Sequence, residues 1–133
     1  MTIQTLVSCV EQNMEEVASK MNLQTDAIVI NQCEKNGYLE YEHKGHTICC
    51  YDFKEKGVGL SRNNALLRAT ADIVLFSDED IVYEDGYADR ILAEFEKHPQ
   101  ADILLFNMDV AEERATYHTE TETVVKWYNC GRY

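Results

Sequence analysis

Gly57-Val-Gly-Leu-Ser-Arg-Asn-Asn-Ala-Leu-Leu-Arg68, then Ala69-Thr-Ala-Asp72, then Ile73-Val-Leu-Phe-Ser-Asp-Glu-Asp80 is the stretch that decides the architecture. Its first part reads as a helix behind two glycines, with Ser61 as the expected cap and Leu60, Ala65, Leu66 and Ala69 facing a packing partner. Its last part opens on a short apolar run, Ile73 to Phe76, without polar alternation, as in a strand covered on both faces. A helix feeding such a strand is the unit from which parallel α/β sheets are built.

Upstream the same logic holds. Leu6 to Val10 is an apolar run, and Asn13 can cap a helix in which Met14, Val17, Ala18 and Met21 share one stripe. After Asn22 comes a second buried-type run, Ala27 to Ile30. Tyr38 to Phe53 differs, because Lys44-Gly45 divides it into two arms of a hairpin or a bent strand passage. Downstream, Gly86 opens a helical pattern with Ala88, Ile91, Leu92 and Phe95 on one face and Pro99 at its end, and Ile103 to Phe106 reads as a last buried strand. The order is β-α-β-hairpin-α-β-α-β, which predicts a mostly parallel central sheet with helices on both faces. No Gly, Ser or Pro linker divides the chain, so a single domain over residues 1–133 is expected, with 109–133 an atypical extension. Within it, Thr119 to Val125 alternates like a polar-faced edge strand. Trp127, Tyr128 and Tyr133 are left to meet a partner, to pack on a part of a longer protein, or to fold back onto this domain.

The chain has 133 residues, 45% of them apolar, and carries 24 acidic against 12 basic side chains for a formal charge of -12. A domain of this size buries about two thirds of its unfolded surface, enough for a core without metal or disulfide staples. Such a negative surface repels nucleic acid and anionic membranes. A phosphate-bearing ligand must therefore be held locally, by backbone N–H groups, an Arg or a divalent cation. No apolar run is long enough for a transmembrane segment, and the N-terminus lacks a signal-peptide pattern, so the cytoplasm is the expected compartment. Cys9, Cys33, Cys49, Cys50 and Cys130 form no disulfide framework and read as thiols in a reducing environment.

Asp78 and Asp80 are the strongest chemical signal. They lie two residues apart just past a buried strand, at the edge where open α/β sheets hold ligands. Divalent Mg or Mn takes hard oxygen ligands of this kind and completes its shell with phosphate and water; the competing reading is an acidic solvated loop, or Asp80 and Glu84 starting the next helix. Arg62 and Asn63, at the start of a helix, can present a guanidinium and helix-terminal donors to a phosphate, or Arg62 can pair with a surface carboxylate. Asn31 and Gln32 end the second strand and either read a heterocycle or close a turn. The spacing of His43, His46, Cys49 and Cys50 fits no zinc site.

Taken in order, Gly57, Arg62-Asn63, Ala71-Asp72, Ile73 to Phe76, Asp78-Glu-Asp80-Ile81 and Gly86 resemble the family 2 glycosyltransferases of the GT-A fold. The resemblance runs over about residues 4–108 and places a nucleotide on the loop from Val7-Ser8-Cys9 to Asn13. It implies a Mn or Mg ion on Asp78 and Asp80, in a register whose alternative stresses Glu79 and Asp80. Ser8, Asn31, Arg62, Asn63 and Asp78 would meet the donor. Asn31 stands where relatives commonly have a base-contacting Asp, and Ser77 where many have a further acidic residue. The implied activity is inverting transfer of a sugar from a nucleotide diphosphate, with uridine diphosphate (UDP) expected, to a saccharide or other hydroxyl acceptor. Family members run well beyond 200 residues, so this chain is expected to be the donor-binding half of a longer protein. The acceptor site and catalytic base would lie in the other half, against which this half packs unless it forms a homo-oligomer. Two other classes remain: a non-catalytic nucleotide-sugar-binding or structural domain of the same fold, and a phosphoryl-transfer pocket with Mg. Ligand choice separates them.

Overall fold

The computed structural model describes residues 1–109 and 121–126, which group into two units, Met1–Glu96 and Lys97–Tyr133. The first unit is built on a five-stranded sheet. Its elements are β1 (Ile3–Val10), α1 (Met14–Met21), β2 (Asp26–Gln32), β3 (Gly37–His43), β4 (His46–Phe53), α2 (Val58–Arg68), β5 (Ile73–Asp78) and α3 (Tyr87–Lys97). The strand order is β3-β4-β2-β1-β5, parallel except for the antiparallel β3–β4 pair. This is the α/β sheet with helices on both faces that the sequence predicts, and the Tyr38 to Phe53 passage is its hairpin. Lys44 and Gly45 both take positive φ, 50° and 79°, as the tightest hairpin turns require.

Period-two alternation splits the core between two faces. Val7, Cys9, Ala27, Val29, Ile48 and Cys50 line one face under Val17, Ala18 and Met21 of α1. Leu6, Ile28 and Ile30 line the other, against Ala65 of α2. The helices part because the chain steps from β1 to β2 in one direction and from β4 to β5 in the other, and right-handed crossovers then fall on opposite faces. Full burial of side chains such as Met21, Leu23 and Ile30 contributes about 1.5–3 kcal/mol each. α1 begins as its sequence indicates: Asn13 Oδ1 accepts from the Glu15 N–H at 3.1 Å, and Asn22 closes the helix at φ 56°.

Three expectations are corrected. Ser61 does not cap α2, which starts at Val58 behind Gly57; Ser61 lies one turn inside, buried, while Leu60 and Leu66 are exposed. Gly57 reaches φ 119°, a conformation open to glycine, and so sets the earlier start. Next, β5 is an edge strand, so its Ile73 to Phe76 run is only partly covered and Phe76 is exposed. Lastly, Ile103 to Phe106 forms no strand. Apolar content gives β tendency, but a strand exists only where a neighbour completes its backbone ladder, and these residues join no ladder. In the second unit the described residues 121–126 carry no strand either, so the Thr119 to Val125 expectation fails over its described part. Trp127, Tyr128, Cys130 and Tyr133 lie outside the described residues.

Candidate functional site

Because β1, β2, β4 and β5 run parallel, their last residues Val10, Gln32, Phe53 and Asp78 end at one edge of the sheet. The strand order reverses between β1 and β5, since β2 lies to one side of β1 and β5 to the other, and such a switch point opens a crevice at the carboxyl ends of the strands. Ser8 and Asp78 are register partners there. The Ser8 hydroxyl is buried and has no hydrogen-bond partner among the described residues. Arg62 reaches across from α2, its guanidinium nitrogen 3.6 Å from Asp78 Oδ1. Both side chains are about half exposed, so their attraction is weak and a ligand can displace it.

The start of α2 belongs to the same edge. Gln32 clasps Gly57 on both sides, donating from Nε2 to the Gly57 carbonyl at 2.8 Å and accepting the Gly57 N–H at 3.1 Å. The first N–H groups of the helix, Val58 to Leu60, have no acceptor inside it. The orphan donors therefore precede Arg62 and Asn63, which sit in the second turn rather than at the helix start. Ser61 Oγ is a second buried hydroxyl without a partner among the described residues.

The other side of the edge is a cleft of about 470 Å³ between the loop after β1 and the ends of β2 and β4. Asn31 donates from Nδ2 to the Gln12 carbonyl at 2.9 Å and to Asp52 Oδ1 at 2.8 Å, while its Oδ1 accepts the Gln12 N–H at 3.0 Å. Both amide hydrogens of Asn31 are thus used inside the protein, so its side chain supports the cleft wall. Gln12 and Asp52 were not singled out from sequence. The available signal was parity: in β4, Cys50 and Asp52 share the covered face, and a carboxylate at such a position needs a reason.

Asp78 and Asn31 stand at the same edge, as the fold requires. Asp78 ends β5 itself, and its carbonyl accepts the Ile81 N–H at 3.2 Å. The acidic triplet therefore lies in a turn rather than in extended chain. Carboxylate oxygens such as those of Asp78, the register partner of Ser8, and of Asp80, two residues on, are hard donors of the kind that Mg or Mn takes. Among the described residues these two belong to no cluster of three acidic, His or Cys ligand atoms.

A mostly parallel five-stranded sheet with helices on both faces and polar groups at its switch point is an α/β architecture of the GT-A, Rossmann-like type. The chain matches glycosyl transferase family 2 over residues 3–132 and belongs to that family. Neither the curated proteins nor the solved structures give a significant match. Membership makes it a glycosyltransferase with a nucleotide-sugar donor and an acceptor, in a family that commonly uses a divalent metal. No helix among the described residues is long and apolar enough to cross a membrane.

Proposed function

We propose that the β1–β5 crevice binds a UDP-sugar with Mn or Mg and directs inverting transfer of the sugar to a saccharide or other hydroxyl acceptor. The observation that carries this reading is the convergence at one switch point of Asp78, the Arg62 guanidinium and the buried Ser8 hydroxyl. Asp78 and Asp80 would hold the ion. Arg62, Asn63 and the first N–H groups of α2 would receive the diphosphate, since helix-terminal donors and a guanidinium both favour anions. When bound, the ion supplies charge neutralisation for the departing nucleoside diphosphate. On ligand entry Arg62 exchanges Asp78 for phosphate oxygen, freeing the carboxylate. The uncommitted Ser8 hydroxyl can donate to the ligand.

This chain is proposed to act mainly as the donor-binding half, the acceptor surface and the base being supplied by further sequence or by a second copy. The free thiols Cys9, Cys33, Cys49 and Cys50 suit a reducing compartment, and the cytoplasm is the proposed location. Calorimetry with UDP tests the site. Affinity should depend on Mn or Mg and fall strongly in Asp80→Asn, because a ligand of reduced charge holds the ion less well. Equal affinity in the presence of a chelator would exclude the metal role, and undiminished binding by Asp80→Asn would leave Asp80 structural.

A further inference from the structure

The cleft beside β2 and β4 has a wall of unusual chemistry. Asp52 is only 4% exposed yet lines the cavity. Its Oδ1 is held by Asn31, which Gln12 fixes in turn through both backbone groups. Its second oxygen, Oδ2, lies beside Gly37 of the neighbouring strand and 3.9 Å from the Lys35 ammonium, on a side chain that is 78% exposed, and the Cys33 thiol is also within reach of the carboxylate. Met14 and Leu39 supply apolar lining. The amide that could have donated into this space, Asn31, has spent both hydrogens, so the group the buried wall presents is a fixed acceptor.

We infer that Asp52 is the base-selecting residue of the donor pocket, and that Asn31 and Gln12 position it. A carboxylate acceptor in a mostly polar cleft, with Met14 and Leu39 to lie against a ring face, takes a flat heterocycle whose ring nitrogen carries a hydrogen, as in uracil or guanine. It disfavours one whose ring nitrogen is a bare acceptor, as in cytosine or adenine, because two acceptors then face each other. Rigid support matters here: Asp52 cannot turn away without breaking the Asn31 contact, so the mismatch is not relieved cheaply. This inference rests on the donor-site reading above.

The test is calorimetry on the intact chain with Mn, using UDP, GDP, CDP and ADP, with N3-methylated UDP and pyrophosphate as further probes. Loss of one charged hydrogen bond should weaken binding about 10- to 100-fold. UDP or GDP should therefore bind that much more tightly than CDP and ADP, and the tighter of the two names the base. If UDP is preferred, methylation at N3 should cost a similar factor. Asp52→Asn should narrow or invert the ratio of UDP to CDP, since an amide can donate to the cytosine ring nitrogen, while pyrophosphate affinity stays unchanged. Equal binding of all four nucleotides, UDP affinity that survives N3-methylation, or a folded Asp52→Asn protein with unaltered preference would overturn the inference and leave the donor site standing. Should Asp52→Asn not fold, the methylated nucleotide decides the matter on the unaltered protein. Failure of pyrophosphate and every nucleotide to bind would remove the donor reading and this inference together.

Discussion

Burial pushes the thiols of Cys9 and Cys50 from 9.0 up to about 12, with nearby acidic groups adding to the effect. A folded-state value above the unfolded one means that the folded protein keeps the proton longer. The stabilisation is complete below pH 9 and is lost as pH climbs through 9 towards 12. Melting temperature should therefore fall over that alkaline range, and the fall should be shallower in the Cys9→Ala, Cys50→Ala double variant, whatever its stability at pH 8. An unchanged slope would contradict the assignment. For the site, replacing Arg62 by Ala should weaken UDP binding about tenfold, as loss of a charged phosphate contact does; calorimetry at two salt concentrations should also show a smaller salt dependence. The places of Asp78, Asp80 and Arg62, after a strand and on a helix, were legible in the sequence, and their types are the reason that phosphate and metal chemistry is proposed for them. Asp52 was not, since its importance comes from pairing with Asn31 across two strands, and cross-strand register is not written in either strand alone.

Elements show the same division. α1 was legible in full because its cap, its apolar stripe and its left-handed stop lie within a few residues of one another. Asn13→Ala should cost about 1 kcal/mol in urea unfolding, the usual loss for an N-cap. α2 was misplaced by a turn because Ser61 looks like a cap, whereas the helix is started by the bend at Gly57 and its clasp by Gln32. A Cβ at Gly57 would meet no atom within 4 Å, so any penalty of Gly57→Ala comes from φ 119° alone. About 1–3 kcal/mol of destabilisation is expected by thermal or urea unfolding, together with weaker UDP binding, because the first donors of α2 would be re-aimed. A neutral substitution would show that the bend is not needed. The Ile103 to Phe106 run shares its composition with the true strands; what it lacks is a ladder partner, which only tertiary structure supplies.

Across the whole molecule, a chain of net charge -12 has at one edge of the sheet the groups proposed to receive the diphosphate and its ion: the start of α2, Arg62, Asp78 and Asp80. The amino edge offers the reverse, with Asp26 accepting the Thr47 N–H and Asp72 accepting the Thr2 N–H. The loops at the carboxyl edge could be located from the apolar runs of β1, β2 and β5 together with the Lys44-Gly45 turn, because in a parallel sheet their positions follow from the strands. Which loop groups stay unsatisfied could not, since orphaned atoms such as Ser8 Oγ are known only once every neighbour is in place. Donor and metal are proposed to occupy the carboxyl edge at the β1–β5 switch. The most direct measurement is paramagnetic broadening of backbone amide signals by Mn bound with UDP, compared with Mg and UDP. Signals from Ser8, Gly57 to Asn63 and Asp78 to Ile81 should disappear, while those of Thr2, Asp26 and Asp72 persist. Broadening centred on Thr2, Asp26 and Asp72, or none anywhere at saturating UDP, would contradict the account.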